Sequence, residues 1–259
     1  MNEKSSTDRH WNARATGVEN DIDVNIMDVF QRDLEYECVC RYLTKDMTVL
    51  EVGCGNGFST QRFRVLTKHI DAFDYAEDMI KRAKASFGET NNRFIHDNVL
   101  SPQHLVGSYD TVICIRVLIN LQNLEQQCQV IRNLVPFVKP QGLFIVAEGF
   151  TEGFDALTQL RSQVDLPPIE PAKINFYSPL DAVLPEIEKH FAVEDTFHLG
   201  MYDYLTRVVY PLMVGTENIT RNSVFHERCA QLARAYNPDC FAPFSRMRGF
   251  ICRKRAATQ

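Results

Sequence analysis

The run Val49-Leu50-Glu51-Val52-Gly53-Cys54-Gly55-Asn56-Gly57 constrains this chain more than any other stretch of it. An apolar strand that passes directly into a glycine turn lets backbone approach a ligand closely, and the helix that follows offers its N-terminal N–H groups. A second apolar run ends at Asp74 and Tyr75. An acid at the end of that next strand is placed to hold a ribose diol. The glycine spacing, G-x-G-x-G, departs from the dinucleotide pattern G-x-G-x-x-G, whose third glycine seats the helix near a pyrophosphate. Phe58 stands where that glycine belongs.

Further along, apolar runs alternate with segments of helical period. Strands are predicted over residues 48–53, 70–75, 93–96, 109–115 and 143–147, with helices over 59–67, 77–87 and 124–138 between them. Lys139-Pro140-Gln141-Gly142 is read as the stop of the last helix. Alternation of this kind implies crossover units and a doubly wound, mostly parallel sheet. Helices are expected over 154–164, 180–190, 202–214 and 223–236, and final strands over 191–198 and 247–253. The expected sheet has seven strands, an antiparallel edge strand and a helical insertion before the last strand. Residues 1–45 read as an N-terminal lid, frayed over its first fourteen residues. Residues 46–259 read as the binding domain, with acceptor-side insertions at about 150–190 and 200–245.

Lys and Arg number 28 against 33 Asp and Glu, a net charge of −5. That balance argues against general nucleic-acid affinity, which needs a basic footprint. No apolar run reaches the ~20 residues that span a bilayer, and the polar N-terminus lacks the apolar stretch of a signal peptide. A cytoplasmic protein without a membrane partner is expected. Eight scattered cysteines with no C-x-x-C fit reduced, buried small hydrophobes, and no metal site is expected.

With Val49–Gly57 and Asp74 in place, residues 35–150 resemble the class I, Rossmann-like methyltransferases that use S-adenosylmethionine. The resemblance implies S-adenosylmethionine as cofactor, with Glu51, Gly53, Gly55 and Asn56 near its amino-acid end. It puts Asp74 on the ribose and Tyr75 and Met79 beside the adenine. Asp97 would meet the adenine amino group, and Asn98 or Val99 would cover the ring. Arg116, following the fourth strand, would meet the methionine carboxylate or an anionic acceptor. For the chemistry itself, Glu148, Tyr177 and Tyr204 are the candidates, with His198 and His226 as further possible bases. Trp11 and Tyr36 are assigned to the lid, and Phe176 and Tyr202 to the acceptor side.

The resemblance implies methyl transfer to a small molecule, of the natural-product tailoring type, with a glycan terminus as an alternative acceptor. A different chemistry fits the same residues. If the ligand's own α-amine attacks its γ-carbon, methylthioadenosine leaves and a four-membered imino acid forms, as in azetidine-2-carboxylate synthases. A small, aromatic-walled pocket without an acceptor channel would mark that enzyme. A cofactor-binding regulator without catalysis and an RNA methyltransferase are weaker alternatives.

Overall fold

The computed structural model describes residues 6–256. In chain order, α1 (Ser6–Gly17) and α2 (Val29–Cys40) precede β1 (Thr48–Val52), α3 (Phe58–Arg64), β2 (His69–Asp74), α4 (Glu77–Phe87), β3 (Asn92–His96) and β4 (Tyr109–Ile115). There follow α5 (Leu124–Leu134), β5 (Val138–Gly149), α6 (Thr151–Ser162), α7 (Leu180–Glu188), β6 (Phe191–His198), α8 (Gly200–Tyr204), α9 (Tyr210–Val214), α10 (Val224–Ala235) and β7 (Met247–Lys254). The strands form one seven-stranded sheet in the order β3-β2-β1-β4-β5-β7-β6. Pairs from β3 to β5 are parallel, and β7 runs antiparallel to both β5 and the edge strand β6. This is the doubly wound, mostly parallel architecture that the sequence pattern implies.

Successive side chains of a strand point to opposite faces, so a strand covered on both sides reads as a continuous apolar run. Leu50, Val112, Phe144 and Phe250 face α5 and α7, whose Val130, Ile131, Val183 and Ile187 complete one core. Their neighbours Val49, Ile113, Ile145 and Ile251 face the other way, onto Tyr36 and Val39 of α2 and Phe63 of α3. A third cluster joins Leu34 of α2 to Tyr202 of α8 and Cys229 and Ala230 of α10. The helices between β6 and β7 are thereby fastened to the same face as α2.

Several expected elements shift. The segment Lys139-Pro140-Gln141-Gly142 lies inside β5 as an irregularity, because Tyr109 pairs with Val138 but Thr111 pairs with Leu143. The preceding helix already stops at Leu134, where Pro136 sits in a short 3-10 turn. The helix expected over 202–214 is interrupted by a π-helical turn, Leu205–Val209. All eight cysteines are free.

The largest difference is at the N-terminus. Residues 1–5 lie outside the described residues, but Ser6–Gly17 is a helix packed on α4 instead of a frayed end. Ala15 and Trp11 share a small apolar cluster with Ala76 and Met79, and the rest of the grip is polar, which apolar periodicity misses. Arg82 of α4 donates to the carbonyls of Ala15 (2.8 Å), Val18 and Glu19 (2.9 Å) and to the Asp21 carboxylate (2.6 Å). Asn12 Oδ1 accepts from Asp78 N–H at 3.0 Å.

Gly57 begins α3 at φ 79°, and a Cβ there would lie 2.7 Å from Phe94 Cζ and 3.1 Å from Ala83 Cβ. Left-handed backbone and overpacking each cost an L-residue a kcal/mol or more, so Gly57→Ala is expected to destabilise the fold by roughly 2–4 kcal/mol. A thermal melt would check this; an unchanged Tm would show that the turn relaxes without strain.

Candidate active site

In an open parallel sheet, ligands collect beyond the carboxyl ends of the strands where the winding reverses. Here that point lies between β1 and β4. The loops leaving these strands are in contact, since a Cβ on Gly53 would come within 2.5 Å of Val117 Cγ2. A cavity of about 1290 Å³ opens at this point. Its walls come from α1, the segment 25–28, the glycine turn, the ends of β2 to β4, the stretch 169–177 and three arginines, Arg207, Arg221 and Arg246.

One end of the cavity is acidic. The Asp74 carboxylate accepts from the N–H groups of Gly55 and Ala76, both at 2.9 Å. A carboxylate offers about four acceptor sites, so two remain for the hydroxyls of a ribose. Burial pushes its pKa up to about 6 against the pull of those N–H groups. Glu51 accepts from the hydroxyls of Ser59 and Thr60, the latter at 2.6 Å, and burial pushes it up to about 7. The Tyr75 hydroxyl, also on the cavity wall, is buried without a hydrogen-bond partner among the described residues. Acceptor capacity at Asp74, a close glycine backbone and an orphaned hydroxyl together fit a nucleoside with a charged amino-acid tail.

Glu51, Gly53, Gly55, Asp74, Tyr75, Met79, Asp97, Asn98, Val99, Arg116 and Tyr177 all line this cavity, together with Trp11 and Tyr36. Asp97 is less available than its position suggests. Its carboxylate accepts from the N–H groups of Asn98, Gln103, His104 and Leu105 at 2.8–3.2 Å, and these hold it below the usual carboxylate range. Arg116 takes the left-handed φ of 56° and grips the fully buried Glu35 through Nε (2.9 Å) and Nη2 (2.5 Å). Trp11 Nε1 donates to Asn120 Oδ1 at 3.0 Å, and Asn120 Nδ2 donates to the Arg116 carbonyl at 2.6 Å. These bonds fasten α1 to the loop after β4.

Three expected site residues are placed elsewhere. Asn56 is fully buried beneath the turn, where its side chain accepts from Asn25 (3.0 Å) and donates to the Asp21 carbonyl (2.9 Å). Glu148 points under the loop after β4 and accepts from the N–H groups of Val117 (2.7 Å), Leu118 (2.9 Å) and Ile119 (3.3 Å). It does not border the cavity and cannot serve as base there. Tyr204 packs against Phe241 and Phe244, away from the cavity. His198, His226, Phe176 and Tyr202 are likewise absent from the wall. Tyr202 instead donates to Asp28 Oδ1 at 2.7 Å.

Sequence reasoning missed Asn25, His10, Arg207 and Arg246, which do line the cavity. Burial, helped by the nearby Arg14, holds the His10 imidazole below its usual range, so it is a neutral base near pH 7. No local signal marks these residues; each reaches the site through contacts distant in sequence.

The fold is that of the class I, Rossmann-like methyltransferases. Residues 43–168, just under half of the chain, match the family described as a methyltransferase domain. Neighbours of the same fold have been solved with S-adenosyl-L-homocysteine or S-adenosylmethionine bound. Among curated relatives, malonyl-[acyl-carrier protein] O-methyltransferase of Bacillus cereus is 33% identical over 116 residues, 44% of this chain and 42% of the relative. Ubiquinone biosynthesis O-methyltransferase of Rickettsia akari is 31% identical over 109 residues, 41% of each. The chain thus spans less than half the length of the curated relatives it matches. Over nearly its whole length it shares a fold with the N-methyltransferase NodS from Bradyrhizobium japonicum, solved with S-adenosyl-L-homocysteine. The TM-score there is 0.60 at 12% identity, covering 97% of this chain and 100% of that one. No helix among the described residues is long and apolar enough to cross a membrane.

An ionised Asp74 would accept ribose hydroxyls better than a protonated one, and burial pushes its pKa up to about 6. S-adenosylhomocysteine affinity is therefore expected to fall as pH drops through that value, by at most roughly tenfold per unit. Calorimetric titration across this range checks it: Asp74→Asn should bind more weakly and lose the inflection.

Glu148 behaves oppositely toward stability. Burial raises its pKa from 4.5 to about 8, so the folded state holds a proton that the unfolded chain releases between those values. Its contribution to stability is fully present below about 4.5 and is lost as pH rises through about 8. Thermal melts over this window should show a shallower decline for Glu148→Gln than for the wild type; parallel curves would refute the assignment.

Proposed function

We propose that the protein transfers the methyl group of S-adenosylmethionine to a small-molecule acceptor. The observation that carries this reading is the size of the cavity, about 1290 Å³. Single small-molecule sites occupy roughly 300–1,000 Å³. The space beyond the Asp74 end therefore suits a second substrate, and the wall there is furnished with Phe154, Tyr177 and several arginines. An azetidine-forming cyclase needs no second substrate, so a cavity of this volume disfavours that alternative.

Bound at the Asp74 end, S-adenosylmethionine supplies an electrophilic methyl carbon. The protein's part is to align the acceptor with it and exclude water. Asp74 and the Gly53–Gly57 turn would fix the nucleoside, with Tyr75, Met79 and Val99 beside the base and Glu51 near the amino-acid tail. Trp11 on α1 would cover the site, held by Asn120. The Tyr177 ring, packed on Phe154 with centroids 4.6 Å apart, would form a wall of the acceptor chamber. His10 is the group on the wall best suited to take a proton if the acceptor atom must lose one.

Purified protein would first be incubated with S-adenosylmethionine alone, and the products followed by mass spectrometry. An unchanged cofactor pool is expected, with S-adenosylhomocysteine accumulating only when a panel of small-molecule acceptors is added. Catalytic release of methylthioadenosine, lost in Asp74→Ala, would overturn the reading in favour of cyclisation.

A further inference from the structure

Beyond Arg116, the acceptor chamber is built on a rack of guanidinium groups. Gln31 Nε2 donates to Glu35, the partner of Arg116, at 3.1 Å, and Gln31 Oε1 accepts from Arg246 Nη2 at 2.8 Å. Arg246 holds Asp203 Oδ1 through Nε (2.9 Å) and Nη2 (2.6 Å). Arg207 Nε lies 4.0 Å from that same oxygen, while its Nη2 pairs with Asp28 at 2.7 Å. Two arginines therefore share one carboxylate oxygen.

The arrangement has a direction. Arg116, Arg207 and Arg246 border the cavity, whereas Glu35 and Asp203 are fully buried behind them and do not. Glu35 and Asp203, set behind the wall, hold Arg116 and Arg246, while Asp28, the partner of Arg207, lies on the wall itself. Among the described residues, no hydrogen bond uses the Nη1 atoms of these three arginines. Arg207 Nε is buried without any hydrogen-bond partner. A rack serving the fold alone gains little over apolar packing, and it would not leave a buried donor orphaned.

Local backbone points the same way. Arg207 sits in the π-helical turn Leu205–Val209, a conformation that costs regular hydrogen bonding and recurs at functional sites. The side chain of Arg161 caps the Arg207 carbonyl, and Thr206 Oγ1 donates to the Tyr202 carbonyl at 2.7 Å, so the irregular turn is secured from outside. Burial, and then repulsion from Arg246, push the Arg207 guanidinium below its usual range, the mark of a cation short of negative charge. Arg221, on the same wall, has no carboxylate partner among the described residues; its Nη1 meets the Met27 sulfur.

We propose that Arg207 and Arg246 form an oxyanion subsite that anchors the methyl acceptor through a carboxylate or a phosphate group. This assignment rests on the methyl-transfer reading above and adds the acceptor's chemical class to it. The planar guanidinium pair meets either group in bidentate fashion, and the adjoining Phe154 ring, 5.7 Å from the Arg246 guanidinium carbon, bounds the subsite on an apolar side.

The test is calorimetry on protein saturated with S-adenosylhomocysteine, titrated with malonate and separately with inorganic phosphate at ionic strength fixed by chloride. Saturable binding of at least one anion is expected, and which one binds identifies the group. Arg207→Gln and Arg246→Gln should each weaken that binding by about tenfold or more while S-adenosylhomocysteine affinity changes by less than about twofold. Arg228→Gln, an exposed change on α10, should leave it unaltered. Because Arg207→Gln strands Asp28, the charge-neutral pair Asp28→Asn with Arg207→Gln provides a second variant in which anion binding should also be lost. Absence of binding by either anion, or unchanged binding in both Arg207 variants, would overturn the subsite and leave the methyltransferase reading standing. Equal weakening of malonate and S-adenosylhomocysteine would assign Arg207 to the cofactor instead. Failure of the wild type to bind S-adenosylhomocysteine would remove the methyl-transfer reading itself.

Discussion

Buried carboxylates at the carboxyl ends of the strands organise this molecule. A loop that closes over a cavity must satisfy its own N–H groups without bulk water, and an unsatisfied buried donor costs about 1–3 kcal/mol. Here Asp74 takes one N–H from the glycine turn and one from Ala76 just after β2, Asp97 takes four from the loop after β3, and Glu148 takes three from the loop after β4. Glu51 ties the two hydroxyls at the start of α3. Each acid fixes one loop, and the loops together shape one end of the cavity.

The same acids differ in what they retain. Asp74 and Glu51 still face the cavity, whereas Glu148 is spent on its loop. Their environments also separate their protonation: the values rise from about 6 at Asp74 to about 7 at Glu51 and about 8 at Glu148. Near neutrality Asp74 is thus the most ionised of the three. Elsewhere the cavity wall carries guanidinium groups, with the buried Glu35 and Asp203 behind two of them. A cationic cofactor and an anionic acceptor would meet within this cavity.

The sequence reveals the cofactor half far better than the acceptor half, for a physical reason. The glycine turn, Asp74 and the flanking strands are local: a few adjacent residues dictate a conformation and a ligand distance. The acceptor half is assembled from Asp28, Arg207 and Arg246, brought together by tertiary packing. Glu148 shows the limit of position alone. An acid after an apolar strand looks the same in sequence whether it faces a ligand or a loop, and here three backbone donors claim it. Helix α1 escapes notice because Arg82 and Asn12 hold it by polar contacts, which leave no periodic trace. The π-helical turn Leu205–Val209 is equally silent, since no residue pattern in it marks a π turn.

The position of β7 links sheet and site in assembly as well as in space. β6 pairs with no strand except β7, and β7 fills the gap beside β5. Until β7 docks, β6 is an unpaired ribbon, and the helices between the two strands are a loop with one loose end. Arg207 lies in that loop and Arg246 directly precedes β7. The cationic wall therefore comes into being together with the last rung of the sheet. A partly folded chain could already possess the glycine turn and Asp74, but it would have nothing with which to hold an anion.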